Sequence, residues 1–235
     1  MEPFVRTRVE GFSNEPEQED ALGTLERRNW NVVAVGNWNP AIFSPPWVAE
    51  NLAGPETEIE VGIALGQPGT PVNLKFNGVV LEVSPFRLSL NAVESDVASL
   101  STCAQVMAEV CGRLQHTPVR AIGTNFRFRV KEPDQELFRL FDTHDLNRIS
   151  EQQFRVASIR ITRRLEWDSR SVNATLVLNE SGSLDIDLNF HVDVDSAKQA
   201  KSQLEADTTE LVGIAEKLAL FLAYEADGVE TNAEA

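Results

Sequence analysis

The chain has 235 residues, of which 42% are hydrophobic and 24% charged, and a formal net charge of −15. That length admits one large domain or two of ordinary size, with enough core to need no disulfide or metal staple. The acidic balance excludes a general affinity for duplex nucleic acid or anionic membranes, and no run of about 18 apolar residues offers a transmembrane helix.

Residues 1–28 are polar and acidic and read as a flexible tail. They contain no apolar stretch of signal-peptide type, so the expectation is a cytoplasmic protein. Trp30 to Val35 predicts a short strand closing on Gly36. The segment that follows, Gly36 to Val48, is rich in Trp, Phe and Pro. Ser44 with Pro45 and Pro46 predicts the start of a short helix ending before Gly54-Pro55. Ile59, Val61, Ile63 and Leu65 alternate with small or acidic residues, as a strand with one buried face does, and Gly66–Gly69 reads as a turn. Val72–Phe76 and Val79–Val83 flank Asn77-Gly78, a strong hairpin signal because both turn positions need positive φ. Phe86–Ala92 is a further strand. A helix from Ser95 to Leu114 then has an apolar stripe at Val97, Leu100, Ala104, Met107, Cys111 and Leu114. Its cysteines, Cys103 and Cys111, lie about 12 Å apart along the axis and cannot bridge; they read as buried small hydrophobes in a reducing compartment.

From Val119 to Val130 the chain alternates again. A short helix is predicted over Asp134–Phe141, a loop over Asp142–Ser150, and strands over Phe154–Trp167 and Val172–Leu178. Ser183 to Asp195 is the most regular stretch of all: Leu184, Ile186, Leu188, Phe190, Val192 and Val194 alternate with polar residues, the pattern of an antiparallel strand with one covered face. A long helix, Ser196–Tyr224, follows, and residues 226–235 read as a disordered tail.

The expected fold class is α+β. The order of elements reads as a tandem duplication of a β-α-β(3–4)-α unit, residues 29–117 and 118–225. The two halves would pack as one body, with an antiparallel curved sheet and helices on one face. A Leu-Asn pair precedes the long helix of each half, Leu90-Asn91 and Leu188-Asn189. In connectivity alone this resembles the tandem repeat of TATA-binding-protein-like folds. No motif accompanies the resemblance, and fold analogy does not carry function.

Candidate sites are few. Asp187, His191 and Asp193 share one strand face, but no second histidine is in register for a metal; they read as a solvated sheet face, and no metal or cofactor is expected. His144, flanked by Asp142 and Asp145, is the loop histidine that a hydrolase would use as a base, with His191 as the other choice. No nucleophile or oxyanion hole is marked, so an enzyme is not the leading expectation. His116, just past a helix end, is expected against the last carbonyls of that helix. The span Arg113–Arg170 holds twelve Lys or Arg against eight Asp or Glu. Arg127 and Arg129 share one face of a strand, as do Arg160 and Arg164, and together they form a candidate site for a phosphate-bearing nucleotide or single strand. Trp38, Phe43 and Trp47, with Phe221 at the apolar end of the last helix, form the candidate contact surface for a protein partner or a second copy. The leading expectation is a non-enzymatic binding or adaptor protein.

Overall fold

The computed structural model describes residues 25–62, 73–142, 145, 149, 151–153, 155–205 and 208–224. The tail residues 1–24 and 225–235, the turn Gly66–Gly69 and His144 lie outside this set. The fold is mixed α+β, with a large, unclosed antiparallel sheet and a few helices.

The chain runs β1 (Leu25–Gly36), α1 (Pro45–Val48, continued by a π turn over Ala49–Ala53), β2 (Glu60–Gly62), β3 (Asn73–Phe76), β4 (Val79–Val83), β5 (Arg87–Ala92) and α2 (Val97–Arg113). It goes on through β6 (Val119–Val130), a 3-10 segment (Gln135–Phe141), β7 (Ser158–Trp167), β8 (Arg170–Asn179), β9 (Leu184–Asp193), α3 (Ala197–Leu204) and α4 (Thr208–Ala223). The nine strands lie in the order β2-β3-β4-β5-β1-β6-β9-β8-β7. Every neighbouring pair is antiparallel. No helix among the described residues is long and apolar enough to cross a membrane.

β1 and β6 meet in the middle of the sheet, and one irregularity sets their facing. The register shifts between Arg28 and Asn31, where Asn29 takes a φ of 49°. Asparagine tolerates that left-handed conformation, and the extra residue is a β-bulge. The bulge turns Trp30 inward and Asn31 outward on a strand whose alternation would otherwise be out of step. Trp30 is 0% exposed. It packs edge-on against Phe126 and Phe128, at 5.1 and 5.8 Å between ring centroids, and its indole N–H donates to the Arg127 carbonyl at 3.3 Å. Phe190 continues the cluster from β9 to Trp167 at the tip of β7.

The helices cover this apolar face. Asp96 caps α2 by accepting from the Ser99 amide at 2.7 Å, one residue beyond the predicted start. The helix buries Cys103, Val106, Ala108 and Val110 as well as most of its predicted stripe, because α3 packs on one flank while the sheet takes another. Both cysteines are free and buried, and burial pushes their thiols up to about 12. On α4, Glu216 pairs with Arg27 of β1 at 2.5 Å, and the Arg27 guanidinium sits over the Trp30 ring.

Several boundaries depart from the sequence expectation. β1 begins at Leu25, inside the segment read as tail. β7 begins at Ser158 rather than Phe154, and the short helix predicted over Asp134–Phe141 is a 3-10 segment over Gln135–Phe141. The last helix is two: α3 ends at a Glu205 cap and α4 starts at Thr208, where Thr208 and Thr209 are poor interior but good initial residues. The helix predicted over Pro45–Leu52 is α-helical for four residues only and stops at Gly54, whose φ is 97°. The Asn77-Gly78 turn has positive φ at both positions, as expected.

Trp30→Ala is expected to destabilise the protein by about 3–5 kcal/mol, since it empties the centre of the core at the bulge. Denaturant unfolding of the two proteins measures the difference, and a loss below about 1 kcal/mol would contradict the central placement of Trp30.

Candidate functional site

The side of the sheet opposite the helices carries most of the polar residues of the alternating strands, together with Val33 and Val35 of β1. Strand registers align these residues in rows across the sheet. One row is unusual. Asn91 of β5 pairs with Asn31 of β1, Asn31 with Asn125 of β6, Asn125 with Asn189 of β9, and Asn189 with Asn173 of β8. Five asparagines on five adjacent strands thus stand side by side, spanning about 19 Å at the usual strand spacing.

Four of the amides are chained. Asn173 donates to the Asn189 oxygen at 3.4 Å, Asn189 to Asn125 at 2.6 Å, and Asn125 to Asn31 at 2.7 Å. A primary amide has two N–H donors and two acceptor lone pairs. The central amides spend one of each within the row and keep one of each for something above it. A cavity of about 590 Å³ lies over the row, bounded also by Val33, Arg87, Thr175 and His191.

Gly123 makes room for this arrangement. It sits on the same face of β6, two residues before Asn125, and an added Cβ there would lie 2.9 Å from the Asn189 side-chain nitrogen. The Asn189 amide leans over the glycine to reach its neighbour.

The predicted arginines share this face, but three of them already have carboxylate partners. The Arg127 Nε donates to Asp187 at 2.5 Å. Arg129 grips Asp185 through two bonds, at 2.6 and 2.9 Å. Asp185 also accepts from Asn179 at 3.0 Å. The Arg129 guanidinium, aided by Asn179, holds the Asp185 carboxyl below the usual carboxylate range against a smaller opposing effect of burial. Arg164 lies 3.4 Å from Glu166, both exposed. Arg160 is exposed on the edge strand with no ion pair among the described residues. The structure therefore collects all four on one face, with Arg127 alone of them lining the cavity, and pairs three of them with carboxylates.

The other predicted residues fall as follows. Trp38 and Phe43 are 4% and 6% exposed. The Trp38 indole donates to the Ala34 carbonyl at 3.1 Å, and Phe43 is edge-on to both Trp38 and Trp47. Trp47 is half-buried against the same core. The Trp-rich segment is thus mostly internal and does not present the exposed surface expected of it. Its backbone is tied down by Trp38 N–H to the Pro85 carbonyl and Asn37 N–H to the Pro118 carbonyl. Phe221, in contrast, is 66% exposed on α4. His191 lines the cavity and lies 3.1 Å from Asp193, while Asp187 is held by Arg127. His116 makes no bond to the end of α2 among the described residues; Gln115 reaches the Gly112 carbonyl instead. No group of three or more His, Cys, Asp or Glu among the described residues is arranged to hold a metal.

No protein-family model matches this chain, and no curated protein matches it in sequence.

Two measurements probe this face. Gly123→Ala is expected to cost about 1 kcal/mol, because the new methyl group displaces the Asn189 amide. In an Asn189→Ala background the same change should cost nothing, a non-additivity that a double-mutant cycle reads directly. Asp185 titrates below its unfolded value, so its contribution to stability is present above about pH 4 and fades as pH falls through the lower folded value. Asp185→Asn should therefore lower stability at pH 7 by about 1 kcal/mol or less, given the pair's partial exposure, with the gap closing towards pH 2. An unchanged gap across that range would remove the pair's role.

Proposed function

We propose that this chain is a non-enzymatic binding protein whose open sheet face takes an extended segment of a partner protein. The observation that carries this reading is the asparagine row beneath the cavity. Each central amide offers one donor and one acceptor side by side, the complement of a peptide group. The row's length matches about six residues of extended chain at about 3.3 Å each. Arg127 and Arg129 are balanced by Asp187 and Asp185, while Arg87 at the cavity edge, bonded to the Ser89 hydroxyl, has no ion pair among the described residues and favours a carbonyl or carboxylate oxygen over a cation.

A phosphate-bearing ligand held by Arg127, Arg129, Arg160 and Arg164 would have to displace both aspartates, which weakens that alternative. A hydrolase reading rests on His144, outside the described residues, or on His191, whose described partner is Asp193 alone.

The row also bears on the origin of the fold. We read the two halves as copies of one unit, related by an approximate twofold axis between β1 and β6. That axis would exchange Asn31 with Asn125 and Asn91 with Asn189, and it would account for the repeated Leu-Asn pair.

A random twelve-residue peptide library displayed on phage tests the binding reading. Wild-type protein should enrich clones whose affinity falls at least tenfold on Asn125→Leu or Asn189→Leu. Those clones should be indifferent to Phe221→Asp, which disables the exposed end of α4. Clones lost on Phe221→Asp and retained by the row variants would move the contact surface to α4. An absence of enrichment would overturn the peptide reading.

A further inference from the structure

A second cavity lies on the other side of the sheet, between it and the helices. It holds about 450 Å³, within the range of small-ligand sites. Its inner wall is apolar, from Val32 and Ile122 of the sheet, Leu100 and Ala104 of α2, and Leu211 of α4. At its mouth stands the β7–β8 hairpin, whose last and first strand residues, Trp167 and Arg170, are cross-strand partners on this face.

Arg170 is the discordant group. The other inward residues of β8, Val172, Ala174 and Leu176, are buried hydrophobes. Arg170 continues their alternation and so directs its guanidinium towards the helix side. There it is half-buried and makes no hydrogen bond or ion pair among the described residues. Burial pulls its pKa below the guanidinium norm, with the Asp168 charge opposing. A guanidinium stays charged in proteins, so desolvating it without a partner is costly. Thr124, a polar residue only 6% exposed in the sheet floor, lines the same cavity. The first turn of α4, from Thr208, borders it as well, and a helix N-terminus favours negative charge. Among the described residues lining the cavity, Glu210 on that turn and Asp168 of the hairpin are the carboxylates. Neither comes within ion-pairing distance of Arg170.

We infer that this cavity is a site for a small organic anion with an apolar body, its anionic head paired to Arg170 and its body against Leu100, Ala104 and Ile122. The site is separate from the asparagine row, on the opposite face of the sheet, and does not depend on the peptide reading.

Decanoate, decyl phosphate and decanol separate head-group from tail. Isothermal titration of the full chain should show decanoate binding at least tenfold tighter than decanol, with decyl phosphate revealing whether a phosphate head is preferred. Arg170→Gln should abolish the preference for the anions while leaving decanol unchanged, and Arg170→Lys should restore part of it. Ala104→Leu, which fills the apolar end, should weaken all three ligands. Circular dichroism of each variant checks that the fold persists. Anions that bind no better than decanol, or that bind equally well to Arg170→Gln, would overturn the inference, as would an absence of binding at millimolar concentration.

Discussion

The pairing of β1 with β6 is the constraint to which the rest of the sheet refers. Each is twelve residues long, and each carries a flanking array outward, β5 with its hairpins on one side and β9 with β8 and β7 on the other. Their mutual register decides which side chains share a row on both faces. The bulge at Asn29 and Trp30 is what makes that register consistent. It sends the indole into the aromatic cluster that holds the helices and brings Asn31 out beside Asn125. A single left-handed asparagine thus serves the core and the open face together. Because side chains alternate with period two, no smaller adjustment could satisfy both.

The two faces then acquire different chemistry from one alternating pattern. On the covered face, burial of apolar surface supplies most of the stabilisation. The helices are fastened there by capped starts at Asp96 and Ser196 and by the Arg27–Glu216 pair. On the open face, stabilisation comes from cross-strand pairs of modest individual worth: Arg127 with Asp187, Arg129 with Asp185, Thr162 with Thr175, and the amide row. The open face gains more from being ordered than from being strong. Its side chains are held in place by one another, which leaves the surface preorganised.

Much of this was legible in the sequence, and the reasons for the rest are physical. The alternation from Leu184 to Val194 marks a half-covered antiparallel strand, and β9 is that strand. Asn77-Gly78 marks a hairpin because few other pairs tolerate its backbone. The two Leu-Asn pairs, Leu90-Asn91 and Leu188-Asn189, were visible in the sequence, yet the row to which their asparagines belong was not. Asn31, Asn125 and Asn173 come from strands up to 142 positions apart in the chain, and only the inter-strand register aligns them. The bulge was equally hidden, since Arg28-Asn29-Trp30-Asn31 has no glycine to announce it. The aromatic residues after β1 misled in the opposite direction. Trp38 and Phe43 have the composition of a contact surface, but the same large rings are what a core takes first when the chain folds back over it. In the sequence Arg170 is one of twelve basic residues between Arg113 and Arg170, and its distinction lies in where the β7–β8 turn points it.

The chained amides have one more property. All three bonds run the same way, from Asn173 through Asn189 and Asn125 to Asn31. The bonded chain therefore has a polarity: Asn31, at its end, donates to no other asparagine of the row, and Asn173 accepts from none. Turning one central amide over would set nitrogen against nitrogen at one joint and oxygen against oxygen at the other. The four chained amides can reverse only together, so the orientation adopted at one end of the chain is communicated strand by strand to the other.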